Sequence, residues 1–306
     1  MRSYKQMRRA LRFVTGLLLV IGADSIRPST HLMAASGNDG AKSASQAALK
    51  TASATSPDIP FVEYDFGVER QLLDLANQAR IQAGAPQLTI DEGMSQAARS
   101  HAEAMFAARQ LSHQFDGELS LAQRLAAATR TQLDQEGENV ALDFDAAGAH
   151  RHLMLSSPHR ANLLNAAYNV VGLGVVRSGD RLYIVQDFGH ALPKYSPAEV
   201  KDRIAATVMQ ARHQANQPDL ARSDLSKADE AACSMAHADK LGTSPVQQLA
   251  QRYTVLTYTS LHPEALPENA KPALASPNLR SFSVGACYGR SETYPGGVYW
   301  VVLALD

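Results

Sequence analysis

Three polar side chains occur where the backbone can present them to solvent. His113 lies in the polar segment LSHQFDG, whose turn signal predicts a loop. Glu138 follows a glycine, which allows the close turn that would aim its carboxylate into a cavity. His159 follows a proline at the start of a short predicted helix. Imidazole and carboxylate groups transfer protons near neutral pH and coordinate divalent metals, so these are candidate positions for chemistry.

Helices and a hairpin must position these groups. Residues 170–176 and 182–188 alternate β-branched and apolar side chains on either side of Ser178-Gly179-Asp180, which predicts an antiparallel hairpin. Earlier in the chain, apolar residues at spacings of three and four predict one helix from Val68 and a second helix capped by Asp91.

Three other histidines are expected to have lesser roles. His101 lies on the apolar face of the second helix, and we interpret it as a core histidine with a satisfied hydrogen bond. His150 and His152 are two residues apart, so on a helix they diverge and cannot both face one ion from that element. We expect them in solvent or beside a cavity mouth.

Length and charge exclude some classes of function. The 306 residues suffice for one large or two modest domains. Without the first 35 residues, 23 basic and 29 acidic residues remain of the 29 and 30 in the whole chain. This acidic balance, without a basic stripe interleaved with aromatics, argues against nucleic-acid binding.

The N-terminus predicts export. Basic residues precede the apolar run 13–23, which has the length of a signal peptide and is too short to span a bilayer comfortably. We assign residues 1–35 to a signal peptide, with an uncleaved anchor as the alternative. Residues 36–65 are largely Ala, Ser, Thr and Gly, which predicts a disordered linker.

Several ordered motifs resemble one family. SH at 112–113, GENVA at 137–141 and LMLSSPHRANLLN at 153–165 precede VGLGVV and YIVQDFG in the hairpin. Together they resemble the CAP superfamily (cysteine-rich secretory proteins, antigen 5, pathogenesis-related 1), specifically its bacterial secreted SCP-like branch, over residues 66–192. The resemblance implies an α+β fold in which the domain is an α-β-α sandwich.

The resemblance also implies a site. Many eukaryotic CAP proteins have a cavity lined by two histidines and two glutamates that sometimes holds a divalent metal. The matching positions are His113, Glu138 and His159, whereas Ser156 stands at the second glutamate's place. Two imidazoles and a carboxylate suit zinc or another divalent ion with an open position. Some relatives bind sterols or other lipids.

A structural interpretation of the same polar residues stays open. His159 can simply begin a helix and bond to the neighbouring loop, and Glu138 can accept backbone N–H groups. Asp187 ends a predicted strand, where we expect it to act as a cap or as the partner of Arg160 or Arg181.

The second half of the chain, residues 196–306, predicts a smaller, degenerate CAP-like α+β domain. A capping box at Ser196 starts a helix, and strands are predicted over 253–259, 282–288 and 298–305. Ala275-Ser276-Pro277 echoes Ser156-Ser157-Pro158, and Val284-Gly285 echoes Val171-Gly172. Asn278 then stands at the second histidine's place, and chance similarity remains the alternative.

Cys233 and Cys287 are the only cysteines in the chain. In an exported protein they are expected to form a disulfide between a helix and a strand. Two buried thiols are the alternative.

These observations predict a secreted or cell-envelope CAP-domain protein that acts as a non-catalytic binding module. Its cleft of His113, Glu138 and His159 would accept a divalent metal or a small ligand, and its partner would be an extracellular protein, a lipid or a small molecule. The membrane would be contacted only through the signal sequence. The alternative function is a metal-assisted hydrolase, peptidase-like or esterase-like, that uses the same three residues.

Overall fold

A computed structural model describes residues 62–306. The predicted signal peptide and all but the last four residues of the predicted linker lie outside the described residues. Within the described part, helices pack on two separate sheets, and each sheet with its helices is called a lobe here.

The first lobe contains the predicted hairpin as the two central strands of its sheet. Its sheet has the order β1-β4-β5-β3, with β2 added in parallel beside β4. β1 lies before the predicted domain start at residue 66. The elements are β1 Glu63–Tyr64, α1 Phe66–Gln82, β2 Thr89–Ile90, α2 Glu92–Ala108, α3 Leu121–Ala128, β3 Leu133–Asp143, α4 Ala146–Leu155, α5 Ser157–Leu164, β4 Val170–Ser178 and β5 Arg181–Ala191.

The second lobe repeats this plan with shorter elements. Its sheet has the order β6-β8-β9-β7, in which β6 is parallel to β8 and the other pairs are antiparallel. The elements are α6 Pro197–Gln214, β6 Ala221–Arg222, α7 Ser226–Ala238, α8 Ser244–Ala250, β7 Thr254–Ser260, α9 Ala270–Leu274, β8 Ser281–Gly289 and β9 Val298–Leu305. The predicted α+β fold with a degenerate second copy is therefore confirmed.

A buried arginine marks the same point in both lobes. Arg80 in α1 and Arg212 in α6 have no exposed surface, and each donates only to backbone carbonyls. The acceptors of Arg80 are Pro86 (2.6 Å), Leu163 (2.9 Å), Asn165 (3.0 Å) and Tyr168 (2.7 Å). Those of Arg212 are Pro218 (3.0 Å), Leu274 (2.7 Å) and Ser276 (2.6 Å).

These acceptors correct the predicted alignment of the repeat. The shared bonds place Ser276 opposite Asn165 rather than opposite Ser157. The same offset places Ala270, not Asn278, at the position of His159. Short Ala- and Ser-rich segments match at several offsets, so the sequence echo alone could not fix the register.

A central strand makes a close contact with a helix in both lobes. A Cβ on Gly174 would lie 2.2 Å from the carbonyl carbon of Ala98 in α2, and one on Gly285 would lie 2.0 Å from the carbonyl oxygen of Ala228 in α7. Only glycine lets the two backbones approach this closely. The second residue of the short parallel strand pairs with Val171 in the first lobe and with Phe282 in the second. Counting three residues further along β4 and β8, Gly285 corresponds to Gly174, so the predicted match with Gly172 is wrong.

The predicted disulfide is present in the second lobe. Cys233 in α7 and Cys287 in β8 are joined across 54 residues of sequence. In the chain-entropy model, closing a loop of this length stabilises the fold by about 4 kcal/mol. The bridge ties helix α7 to the strand on which it packs.

Candidate functional site

The loop between α2 and α3 places His113 against the edge strand β3. His113 Nδ1 lies 2.9 Å from Oε1 of Glu138. The imidazole is 60% exposed, whereas the Glu138 side chain is only 4% exposed. A buried carboxylate thus orients a surface imidazole through its Nδ1, which is the geometry of a positioned base or hydrogen-bonding contact.

Arg124 in α3 occupies the other oxygen of Glu138. Its Nη2 donates to Glu138 Oε2 in a short charge-assisted hydrogen bond, and its Nη1 donates to Glu118 Oε1 at 2.9 Å. The Arg124 side chain is 7% exposed. Sequence reasoning missed this residue, although a charged side chain between the inward-facing Leu121 and Leu125 was a usable signal.

His101 in α2 belongs to the same hydrogen-bond network as Arg124 and Glu118. Its Nε2 donates to the carbonyl oxygen of Ser112 at 2.9 Å, and its Nδ1 lies 2.7 Å from Glu118 Oε1. His101 is fully buried and hydrogen-bonded, as expected. Its Nε2 also lies 3.9 Å from Glu138 Oε2, so this core histidine is part of the polar group around Glu138.

Glu118 is held as a carboxylate. Burial by itself would raise its pKa, but the N–H of Phe115, the His101 ring and Arg124 all favour the charged form. The balance lowers the pKa of Glu118 below its ordinary value of 4.5.

Asp187 in β5 is a buried acid without a partner. It is the cross-strand neighbour of Glu138, has no exposed surface, and neither carboxyl oxygen accepts or donates a hydrogen bond among the described residues. Burial, and then the charge of Glu138, raise the pKa of Asp187 well above its usual value. The predicted role as a cap or as a partner of Arg160 or Arg181 is wrong, because strand alternation turns this side chain inward.

His159 reaches the same edge of the sheet from α5. Its pKa is lowered by partial burial and then by the charge of His113, so the two imidazoles are close enough to repel when both are protonated. The structure thus brings all three predicted residues to the edge strand β3. Of the two histidines expected in solvent or beside a cavity mouth, His152 pairs with Asp143 at 2.6 Å, and burial lowers the pKa of His150.

The group does not fit the predicted divalent metal. No set of three or more His, Cys, Asp or Glu side chains within residues 62–306 is arranged to hold a metal ion. Both oxygens of Glu138 are already engaged by Arg124 and His113, and the guanidinium repels a cation placed at the same carboxylate. This arrangement offers no basis for a metal-assisted hydrolytic step.

The second lobe builds the same fold without the polar group. Its strand register places Val255 opposite Ala304, where the first lobe has Glu138 opposite Asp187. Ala270 stands at the position of His159. The loop that corresponds to the one carrying His113 connects α7 to α8 and is only five residues long, 239–243. The buried charges are therefore not a requirement of the fold.

An α+β lobe with a histidine–glutamate pair at the edge of its sheet is what the sequence resemblance implied. Residues 73–188 match the family model CAP, described as the cysteine-rich secretory protein family. The first lobe is therefore similar to the CAP family over these residues.

One curated relative is an uncharacterized membrane protein of Bacillus subtilis, YlbC, which is 35% identical over 121 residues. The match covers 39% of this chain and 34% of the relative, so it spans about a third of that protein's length.

Two solved structures are similar to part of the chain. An extracellular protein containing an SCP domain from Bacillus anthracis is 29% identical over 40% of this chain and 40% of its own, with a TM-score of 0.36. A cysteine-rich secretory protein from Staphylococcus aureus is 21% identical over 40% of this chain and 38% of its own, with a TM-score of 0.33.

Proposed function

We propose that this protein is a secreted or cell-envelope CAP-domain protein that binds an anionic group of its ligand through the imidazoles of His113 and His159. The observation that carries the proposal is the contrast between the lobes. One lobe keeps a costly buried charge network under an exposed imidazole, and the other has Val255, Ala270 and Ala304 at the corresponding positions. Buried charges are expensive, so a fold that does without them in one copy retains them in the other for use.

Electrostatics favours an anionic group as the part of the ligand that contacts the rings. The charge of His113 disfavours protonation of His159, and an anion seated between the two imidazoles would relieve that repulsion. Arg124 already neutralises Glu138, so the carboxylate beneath does not repel such a ligand strongly. The rest of the ligand, whether a small molecule, a lipid or a segment of an extracellular protein, would be selected by contacts outside the two rings.

Sulfate is a suitable probe because its charge is constant across the pH range of interest. We expect sulfate to shift the imidazole NMR signals of His113 and His159, and either His113→Gln or His159→Gln to weaken binding at least about tenfold. Because the pKa of His159 lies below 6.5, binding should take up a proton. Affinity should therefore rise as the pH falls from 8 towards the folded-state pKa of His159, with a slope of up to about tenfold per pH unit.

His213 provides the matched control. It is an exposed histidine of the second lobe whose Nε2 lies 2.5 Å from Asp219, so it is also an imidazole bonded to an acid. His213→Gln should leave sulfate binding unchanged. Equal loss from all three substitutions, or affinity that does not vary with pH, would contradict the proposal.

The location outside the cytoplasm is part of the proposal. It is supported by the signal-like N-terminal composition, by the disulfide and by the CAP family's secretory members. In the part of the chain that the structure describes, no helix has the length and apolar character needed to cross a membrane.

Fractionation of cells that produce the full chain tests this location. We expect the protein outside the cytoplasm, with Cys233 and Cys287 resistant to alkylation until a reductant is added. Retention in the cytoplasm with both thiols free would contradict it.

A further inference from the structure

Three amide side chains form a second polar cluster on the face of the first sheet opposite Asp187. Asn139 and Gln186 are cross-strand neighbours with 0% and 1% exposure, and Asn162 in α5 is half-buried beside them. Asn139 lies in the GENVA segment, directly after Glu138.

The hydrogen bonds of this cluster join the two chain segments that carry the site. Asn139 Nδ2 donates to the carbonyl oxygen of His159 at 3.1 Å and to Gln186 Oε1 at 3.3 Å. Asn162 Nδ2 donates to the carbonyl oxygen of Glu138 at 3.1 Å and to Asn139 Oδ1 at 3.0 Å. Since the backbone oxygen of His159 can only accept, it fixes which end of the Asn139 amide faces it.

The second lobe has hydrocarbon side chains at all three positions. The strand register places Leu256 and Leu303 at the positions of Asn139 and Gln186, and the shared arginine contacts place Ala273 at the position of Asn162. The fold therefore forms with an apolar contact here. Buried amides lose hydration and contribute little net stability, so their retention in the first lobe calls for another explanation.

We propose that Asn139 and Asn162 are positioning residues that hold the backbone of His159 against the strand of Glu138, so that the imidazoles of His159 and His113 face one ligand. Asn139 fixes the first residues of α5, and Asn162 fixes the outer edge of β3 at Glu138. Neither side chain needs to touch the ligand. The effect on ligand binding rests on the proposed function, whereas the juxtaposition of the two rings can be measured without any ligand.

Substitution by the residue of the second lobe gives the sharpest test. Asn139→Leu and Asn162→Ala should both fold, because Leu256 and Ala273 occupy the matching positions. In the unsubstituted protein, His113→Gln should raise the NMR titration midpoint of His159, since it removes a nearby charge. When His113→Gln is added to Asn139→Leu or to Asn162→Ala, we expect the midpoint of His159 to rise by less than about half as much.

Asn77 supplies the control for the loss of a structural amide. Its side chain exchanges two hydrogen bonds with the backbone of Leu88, at 2.8 and 3.1 Å, on another part of the first lobe. Asn77→Leu should lower stability and leave the coupling between the two imidazoles intact. An undiminished coupling in both Asn139→Leu and Asn162→Ala would overturn the proposal.

Sulfate titration of the same variants separates this inference from the proposed function. If the amides position His159, sulfate affinity should fall in Asn139→Leu together with the coupling. Loss of coupling in a protein that binds no sulfate even when unsubstituted would support the positioning role and contradict the anion site.

Discussion

Arg124→Met is expected to lower the free energy of unfolding by about 3–5 kcal/mol, the cost of leaving a buried charge without its partner. The substitution removes the cation that bonds to both Glu118 and Glu138 and leaves those carboxylates beside the buried Asp187. Sulfate binding should be lost as well, because Glu138 then competes as an unneutralised negative charge beneath the two imidazoles. Urea unfolding with NMR detection of His113 measures both effects.

The pH dependence of this loss follows from Glu118. Its folded-state pKa is lowered, so the stability that it contributes is present above about pH 4.5 and is lost as the pH falls through the folded-state pKa. Arg124 is one cause of that shift. The deficit of Arg124→Met should therefore be largest near neutral pH and should narrow below about pH 4.5.

A surface arginine gives the control for this substitution. Arg222 is 44% exposed and pairs with Asp202, which is 65% exposed, so its ion pair is screened by solvent. Arg222→Met should cost less than about 1 kcal/mol. Adding Glu138→Gln to Arg124→Met should recover part of the stability, because it removes one of the unpaired buried charges. No recovery in the double variant would contradict the charge-based account.

The elements of the fold were largely readable from the sequence. Alternation around Ser178-Gly179-Asp180 predicted β4 and β5, and helical spacing after Asp91 predicted α2, because local periodicity and turn chemistry decide these elements. Register was not readable. The correspondence of Gly285 with Gly174 depends on the pairing of β2 with β4 and of β6 with β8, between strands that lie far apart in sequence.

The site was predicted only where sequence motifs mark it. His113, Glu138 and His159 were found through motifs, whereas Arg124 and Asp187 act through contacts made between separate elements. A lone charge on a short helix is ordinarily solvated, and only the packing of α3 against β3 turns Arg124 inward. For the same reason, no motif indicated that the guanidinium of Arg124 already occupies the carboxylate at which a metal was predicted.

Arg80→Met should lower the free energy of unfolding more than Arg212→Met does, although the two arginines occupy equivalent positions in the two lobes. Arg80 bonds to four backbone carbonyls, and its loss leaves them unpaired inside the first lobe. At about 1–3 kcal/mol for each unsatisfied buried group, offset by removal of a buried charge, we expect a loss of about 3–5 kcal/mol. Burial lowers the pKa of Arg80, which confirms the direction of that offset.

Arg212 should cost less to remove, because it bonds to three carbonyls and its Nη2 is buried without a partner among the described residues. The chain's only tryptophan, Trp300, is buried in the second lobe, so its fluorescence reports the unfolding of that lobe, and amide exchange in α1 reports the first. Arg212→Met should lower the urea concentration at the midpoint of the fluorescence change. Arg80→Met should accelerate amide exchange in α1, and the loss of stability calculated from that exchange should be larger than the loss caused by Arg212→Met. Equal losses of stability in the two variants would mean that the fourth carbonyl bond of Arg80 contributes nothing. An unshifted urea midpoint in Arg212→Met would mean that the buried guanidinium does not stabilise the second lobe.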